Sequence, residues 1–275
     1  ATPYTFTSSA GNTLKGYFYC YENPDESRLI VFDHGYGGGH RAYMKEIEML
    51  CSAGYRVFAY DHTGCMESQG EGTCGLGRSL SDLDACLQAL KGEEGLKDTR
   101  FSVIGHSWGG YQVAYLATRT RLFAAIESGA PVVNMFSAYG GIRWGSGLAR
   151  SFQYEHTQSR LGATPWTDPR RYYENSPLFL MDKVETPILI MHNDQDGHVP
   201  WYQGIEYFVA LKRLGKPAWM LNYTGEPHWP TKTPNKLDFQ IRMKQFFDHF
   251  LKGEPMPKWM KEGVPAVKQP YELGY

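Results

Sequence analysis

The hydrophobic and polar residues of the chain form two alternating kinds of pattern. Short apolar runs of about four to eight residues are typical of buried strands, whereas apolar residues at intervals of three and four indicate helices. The strand-like runs are RLIVFD, YRVFAYD, RFSVIG, LFAAIESG, TPILIM and PAWMLNY. The helix-like stretches between them are YMKEIEMLC, SLSDLDACLQALKG, YQVAYLATR, QGIEYFVALKR and NKLDFQIRMKQFFDHFLKG. This alternation predicts an α/β fold with a mostly parallel, twisted sheet and helices on both faces.

The beginning of the chain departs from this alternation. YTFTSS and LKGYFYCY are typical of two strands joined by the turn AGN, which predicts an antiparallel hairpin at one edge of the sheet. With the hairpin, we expect about eight strands in total. We also expect Gly54 and Gly253 to end the first and last helices, and Ser79 or Ser81 to cap the helix of SLSDLDACLQALKG.

Residues 131–185 interrupt the alternation further along. This segment lies between two predicted strands and is rich in glycine, arginine and aromatic residues. Connections of this length are usually lids or binding loops. We therefore expect a single domain over residues 1–275, with a lid-like insertion over 131–185 that shapes a substrate site at the strand ends.

The stretch VIGHSWGGYQVAYLA passes from a predicted strand into a predicted helix through a corner that holds Ser107. Gly105 and Gly109 lie two residues to either side, as in the G-x-S-x-G elbow that raises a serine hydroxyl above a sheet. Small residues are needed there because neighbouring backbone comes close. The helix start also offers N–H groups and a positive dipole to an oxyanion. Ser107 is therefore the candidate nucleophile.

A serine hydroxyl needs a histidine as its base, and the histidine needs a carboxylate to orient it. In proteins with a G-x-S-x-G elbow, the three residues follow one another along the chain in the order serine, acid, histidine. Among the histidines after Ser107, His228 follows the strand PAWMLNY in a loop that can reach back over the sheet. His228 is therefore the candidate base.

Two aspartates compete for the role of the acid. Asp194 and Asp196 both follow the strand TPILIM, and spacing alone does not separate them. Asp196 precedes Gly197, so its turn can aim the side chain at the sheet edge, and the other aspartate is expected to cap the loop. Glu127, at the end of the preceding strand, is the outside alternative and is expected to be structural.

An oxyanion needs two hydrogen-bond donors. The backbone N–H of Trp108 is one candidate, and Tyr36 in DHGYGGG supplies the other through its N–H or its hydroxyl. The glycines around Tyr36 also suit a phosphate nest, but both common phosphate-loop patterns are missing. In the insertion, we expect Trp144 or Tyr139 to form pocket walls and Arg143 or Arg150 to anchor a substrate carboxylate.

Composition excludes several classes of protein. The net charge is −1 with no basic patch, so we expect no nucleic-acid partner. No apolar run approaches the roughly 20 residues of a membrane span. The five cysteines are odd in number and contain no C-x-x-C pair, which favours free buried thiols in a reducing, cytoplasmic compartment. A Cys65–Cys74 disulfide and a cleaved leader stay as alternatives, and no cofactor or metal is expected.

These residues resemble the α/β-hydrolase fold over essentially the whole chain. ESGAPVVNMFSAYGGIRWGSG, ENSPLF and LIMHNDQDGHVPWYQGIEYFVALKRLGKPAWMLNY resemble the catalytic domain of bacterial prolyl-oligopeptidase-family serine peptidases. In that family's H-G-x-x-D-x-x-V-P signature the acid falls on Asp196, the family histidine on His228 and its oxyanion tyrosine on Tyr36. The first half, VFDHGYGGGHRAYMKEIEMLCSAGYRVFAYDHTGCMES, is more similar to small bacterial stand-alone hydrolases of esterase type. We expect no N-terminal β-propeller of the kind that gates peptide access in that family.

The sequence leaves three functions in competition. The first is a serine hydrolase that cleaves small-molecule esters through an acyl-enzyme formed on Ser107. The second is a peptidase of the prolyl-oligopeptidase type that acts on short peptides with the same residues. The third is a non-catalytic binding protein on a hydrolase scaffold, against which the complete set of Ser107, Asp196 and His228 argues.

Overall fold

The computed structural model describes residues 1–72, 75–97, 99–269 and 271–275. Its strands are β1 (Thr2–Thr7), β2 (Thr13–Tyr19), β3 (Arg28–Asp33), β4 (Arg56–Tyr60), β5 (Arg100–His106), β6 (Phe123–Gly129), β7 (Ile142–Arg143), β8 (Leu148–Ala149), β9 (Ile188–Met191) and β10 (Ala218–Leu221). Its α-helices are α1 (Met44–Ser52), α2 (Leu76–Gly92), α3 (Trp108–Ala117), α4 (Met135–Tyr139), α5 (Pro169–Glu174), α6 (Tyr202–Arg213), α7 (Thr233–Phe247) and α8 (Lys258–Lys261). Short 3₁₀ segments cover Glu94–Leu96, Pro177–Lys183 and Ala266–Lys268, and π-helical turns cover Gln153–Thr157 and Asp248–Lys252.

The main sheet has eight strands in the order β1-β2-β4-β3-β5-β6-β9-β10. β2 pairs antiparallel with β1 and with β4, and the pairs from β4 to β10 are all parallel. This confirms the mostly parallel sheet with an antiparallel hairpin at one edge. Because parallel strands end at the same edge of a sheet, the loops after β3, β5, β6, β9 and β10 meet there.

Side chains along β3 alternate between two hydrophobic cores. Leu29 and Val31 belong to a core that also contains residues of α2, α3 and α6, whereas Ile30 and Phe32 belong to a second core that contains residues of α1 and α7. This alternation follows from the two-residue period of a strand. Helices therefore cover both faces of the sheet, as predicted.

The start of α2 differs from the prediction. The helix begins at Leu76, so Ser79 and Ser81 lie inside it and neither caps it. The helical period continues upstream of both serines, and the residue before the helix is Gly75. Ser81 instead donates a hydrogen bond from its hydroxyl to the carbonyl of Gly77 at 2.8 Å.

The predicted insertion, which we call the lid segment (131–185), lies between β6 and β9 and contains α4, α5 and the small antiparallel hairpin β7–β8. It has a small hydrophobic core of its own, which is completed by Tyr111 of α3. The lid residues of this core are Met135, Ala138, Tyr154, Leu161 and Tyr172. The lid segment is therefore fastened to the helix that follows Ser107.

The cysteines follow the prediction in part. Cys51 and Cys86 are buried and free, whereas Cys20 is free but exposed, so the expectation of burial is wrong for Cys20. Cys74 lies outside the described residues, so the alternative of a Cys65–Cys74 disulfide stays a prediction. Within the described part of the chain, no helix is both long enough and apolar enough to cross a membrane.

Candidate active site

Ser107 lies at a sharp corner between β5 and α3. Its φ is +61° and its ψ is −111°, a backbone conformation that side chains rarely adopt. The Ser107 N–H donates to the Gly129 carbonyl at 2.7 Å, and the Ser107 carbonyl accepts from the Tyr111 N–H at 3.1 Å. These bonds hold the residue in a strained position, as the elbow motif requires.

The glycines around the elbow are required by close backbone contacts. A Cβ on Gly105 would lie 2.3 Å from the carbonyl oxygen of Gly109, and one on Gly109 would lie 2.2 Å from that of Asp33. A Cβ on Gly110 would lie 2.3 Å from the carbonyl oxygen of Gly129. Since no side chain fits at these distances, α3 can pack directly against the ends of β3, β5 and β6 only with glycine at all three positions.

The loops after β9 and β10 bring an aspartate and a histidine together. Asp196 is 4% exposed, and its Oδ2 lies 2.7 Å from Nδ1 of His228. Its Oδ1 accepts the backbone N–H groups of His198 and Val199, each at 2.8 Å. His192 Nε2 lies 3.3 Å from the same Oδ2. The carboxylate is thus fixed by donors on every side.

These donors also set the charge of Asp196. Burial alone would raise the pKa of Asp196, but hydrogen bonds from His192 and His228 outweigh burial and hold that pKa well below its usual range. The carboxylate is therefore ionised and acts only as an acceptor, so His228 donates from Nδ1. This leaves Nε2 of His228 as the nitrogen that can accept a proton.

The competing acids have other partners. Asp194 Oδ1 accepts the Gly225 N–H at 2.7 Å, and its own N–H donates to Oδ1 of Asn222 at 3.1 Å, so it ties the two loops together. Glu127 is buried on β6, and burial raises its pKa well above the usual range, which keeps the carboxyl neutral. The geometry therefore favours Asp196 as the partner of His228.

A cavity of about 410 Å³ opens above these strand ends. Ser107 and His228 both line it, as do both candidate oxyanion residues, Tyr36 and Trp108. Trp108 is the first residue of α3, so its backbone N–H has no acceptor within the helix. The rings of Tyr36 and Trp108 meet edge to face with their centroids 5.6 Å apart. The two residues predicted to supply the donors therefore lie next to each other in the wall of the cavity that Ser107 also lines.

The four residues predicted in the lid segment divide into two groups. Arg143 and Arg150 line the cavity. Tyr139 does not, because its hydroxyl donates to Glu155 at 2.7 Å and its ring packs within the lid segment. Trp144 does not either, because it lies in the turn between β7 and β8, where it is 72% exposed. The expectation that Trp144 or Tyr139 forms the pocket wall is therefore wrong in this structure.

Comparison with known proteins identifies the family. The model of the prolyl oligopeptidase family matches residues 41–254. The chain belongs to this family. The uncharacterized peptidase YuxL of Bacillus subtilis is 27% identical over 216 residues, which cover 74% of this chain and 31% of that protein. The chain spans about a third or less of the length of the curated relatives that it matches.

Solved structures show the same fold. The acylaminoacyl peptidase of Pyrococcus horikoshii matches with a TM-score of 0.78 and 20% identity, over 96% of this chain and 43% of that one. The esterase Pf2001 of Pyrococcus furiosus matches with a TM-score of 0.69 and 20% identity, over 91% of this chain and 92% of that one. The α/β-hydrolase fold is confirmed. The prediction of a serine hydrolase is confirmed at the level of the family, since these relatives are peptidases and an esterase.

In this prolyl oligopeptidase-family chain, the sequence did not predict two histidines that lie around the base. The His198 ring lies 4.9 Å from that of His228, and the His106 ring lies 4.6 Å from it on another side. Burial lowers the pKa of both His106 and His198, which keeps these two rings neutral beside the base. Their places in the sequence could have revealed them, because His106 is next to Ser107 and His198 lies two residues after Asp196.

One group of side chains has the composition of a metal site. Asp196, His198 and His228 each offer a ligand atom, and these atoms lie within 4.8 Å of one another. The Asp196 oxygens already receive hydrogen bonds from His228 and from the loop backbone, so a cation there would compete with the base. We assign no metal role to this group, and the expectation of a cofactor-free protein stays a prediction.

Proposed function

We propose that residues 1–275 form one catalytic domain that hydrolyses carboxylic esters through an acyl-enzyme. Ser107 is the nucleophile, His228 is the general base and then the general acid, and Asp196 orients His228. The observation that carries this proposal is the 2.7 Å contact between His228 Nδ1 and Asp196 Oδ2, beside a cavity that His228 shares with the strained Ser107. The order serine, acid, histidine along the chain supports it further.

In this mechanism, Ser107 Oγ bonds to the ester carbonyl carbon while Nε2 of His228 takes the hydroxyl proton. The negative charge that develops on the carbonyl oxygen is stabilised by the Trp108 N–H and by a donor from Tyr36. The carbon–oxygen bond to the alcohol then breaks, and His228 returns the proton to that alcohol. Water attacks the acyl-enzyme by the same steps and releases the acid and the free serine.

Peptide hydrolysis by the same residues is the second candidate. The name of YuxL and that of the Pyrococcus horikoshii enzyme favour a peptidase. The match to the Pyrococcus furiosus esterase favours an ester substrate, because it covers 92% of that protein. An ester also needs less protonation of its leaving group than an amide does. We therefore place ester hydrolysis first.

Labelling with a fluorophosphonate and turnover of two substrates test the proposal. The wild-type protein should label and should hydrolyse a nitrophenyl acyl ester faster than a peptide anilide. Ser107→Ala should abolish labelling and lower kcat by on the order of 10⁶-fold, as loss of a serine nucleophile does elsewhere. Ser9→Ala, which changes an exposed serine outside the cavity, should behave as wild type.

Each contrary outcome has a definite meaning. A folded wild-type protein that neither labels nor turns over any ester or anilide would favour the non-catalytic binding function. Faster turnover of the anilide would make the peptidase the correct proposal. Labelling that persists in Ser107→Ala would move the nucleophile to another residue.

A further inference from the structure

The cavity above Ser107 has an uneven distribution of charge. Among the described residues that line it, Arg143 and Arg150 carry permanent charges, and none is an aspartate or a glutamate. The other titratable groups that face it are His106, His198, His228 and several tyrosines. Asp196 lies behind His228, and its oxygens are already occupied by four donors. The lining of the cavity is therefore positive, and the nearby carboxylate of Asp196 lies outside that lining.

Arg150 is the more deeply buried of the two arginines. Its residue is 3% exposed, yet Nε and Nη1 have no hydrogen-bond partner among the described residues. Its Nη2 donates to the Tyr154 hydroxyl at 3.3 Å. A guanidinium stays charged at any physiological pH, and a buried charge without a partner is strongly unfavourable. Arg150 therefore lines the cavity with two donor nitrogens that no described residue occupies.

Arg143 adds a second cation to the same cavity. Its Nε is buried and also lacks a partner in the described part of the chain. Burial and the neighbouring charge of Arg150 both lower the pKa of Arg143, so the two cations repel each other. Both come from the β7–β8 hairpin region, which places them on the lid side of the cavity that also holds Ser107.

We propose that Arg143 and Arg150 form a binding site for a carboxylate carried by the substrate, close to the bond that Ser107 attacks. This inference rests on the proposed function and names its substrate class, an ester or amide with an anionic end. A carboxylate fits because its two oxygens accept strong, charge-assisted hydrogen bonds from guanidinium N–H groups, and both arginines keep N–H donors without a partner in the described chain. The carboxylate belongs either to the acyl part of the substrate or to its leaving group.

Two matched pairs of esters distinguish these sources. The acyl-side pair is the 4-nitrophenyl monoester of glutaric acid and the corresponding glutaramate. The far end of the acyl chain is a carboxylate in the first and an uncharged amide in the second. The leaving-group pair is 4-carboxyphenyl butyrate and 4-carbamoylphenyl butyrate. Within each pair the shape is nearly constant, so the ratio of the two kcat/KM values, corrected for spontaneous hydrolysis, measures recognition of the charge.

The wild-type protein should prefer the carboxylate of at least one pair by about tenfold or more. Arg143→Gln and Arg150→Gln should each remove most of that preference, which lowers the ratio by about tenfold, as expected for loss of hydrogen bonds to a charged group. Arg121→Gln is the control, because it removes the same charge from an exposed ion pair with Glu185. It should leave the ratio unchanged.

Folding of each variant is checked by its melting temperature and by fluorophosphonate labelling. If Arg150→Gln does not fold, the half-buried Arg143 still tests the site. A wild-type protein that hydrolyses the neutral esters without preferring either carboxylate overturns the carboxylate site but leaves the hydrolase in place. Equal losses on both members of a pair in the arginine variants also overturn it. Absence of labelling and of turnover for all four esters overturns the proposed function instead.

Discussion

Two regions next to the cavity hold their charged side chains in opposite ways. In the loops after β9 and β10, Asp196 is held by two backbone N–H groups and two histidines, with both oxygens occupied. In the lid segment, Arg150 is equally buried but keeps two nitrogens without a partner in the described chain. Asp196 lies behind His228, whereas Arg150 belongs to the lining of the cavity that His228 also lines.

The difference separates two kinds of task. A charge whose hydrogen bonds are all made within the protein is pre-organised, and it can hold another side chain in one orientation. A charge with open hydrogen-bond positions gains its remaining bonds only when a ligand arrives. Substitutions in the loops should therefore act mainly on kcat, whereas substitutions among the lid residues that line the cavity should act mainly on KM.

The largest expected effect is at Asp196. Asp196→Asn should lower kcat by on the order of 10⁴-fold, because the amide no longer selects the tautomer of His228 that can accept the serine proton. Asp194→Asn is the matched control, since an amide oxygen can still accept the Gly225 N–H. Steady-state kinetics on a nitrophenyl ester measures both variants. A larger loss for Asp194→Asn than for Asp196→Asn would reverse the assignment of the acid.

The elbow should be almost as sensitive. Gly109→Ala would press a methyl group against the Asp33 carbonyl, so α3 must shift and carry Ser107 with it. A displacement of about 1 Å typically costs about 100-fold in rate, so we expect at least that loss of kcat together with a lower melting temperature. Gly77→Ala, in open space at an exposed position of α2, should leave kcat unchanged and raise the free energy of unfolding by up to about 1 kcal/mol. Wild-type kcat in Gly109→Ala would show that the elbow tolerates a side chain.

Tyr154 tests the lid side of the comparison. Tyr154→Phe removes the hydroxyl that orients Arg150, so KM for a carboxylate-bearing ester should rise by about 2- to 10-fold with kcat nearly unchanged. Tyr115→Phe is the control, because Tyr115 makes a similar contact with Arg119 outside the cavity, at 2.9 Å. A fall in kcat without a change in KM would contradict this role and would mean that Tyr154 acts like the loop residues around Asp196.

The smallest effect is expected at Trp144. Its side chain projects from the β7–β8 turn and is mostly exposed, so Trp144→Ala should change kcat and KM by less than about twofold on any small ester. The same kinetic assay measures this. An increase in KM of fivefold or more would mean that the turn reaches the cavity during turnover.

How far the sequence predicts this molecule differs between its parts. The sheet and its covering helices are predictable because Leu29, Ile30, Val31 and Phe32 alternate between two cores, and a continuous apolar run reports burial on both faces. The elbow is predictable because close backbone contacts around Ser107 require glycine, so the requirement is visible in the local sequence. Spacing alone did not separate Asp196 from Asp194, but the glycine that follows Asp196 favoured it, and the family resemblance pointed to the same residue.

The lid segment was harder to predict for a physical reason. Its contacts are between residues distant in sequence, such as Tyr139 with Tyr172, and it has no long period that would assign each side chain to a face. Arg143 and Trp144 are adjacent in the chain, yet one lines the cavity and the other points to solvent. The direction of such side chains depends on the two-residue strands of the hairpin, which are too short to produce a pattern.

The order of strands has a consequence for thermal inactivation. Ser107 follows β5, which has paired neighbours on both sides, whereas Asp196 and His228 follow β9 and β10, and β10 pairs only with β9 among the described strands. Both strands are four residues long, β10 is the edge strand among the described residues, and local opening is easiest at such an edge. Heat should therefore detach the base from the nucleophile while most of the sheet persists, so enzymatic activity should vanish at a lower temperature than the circular dichroism of the sheet.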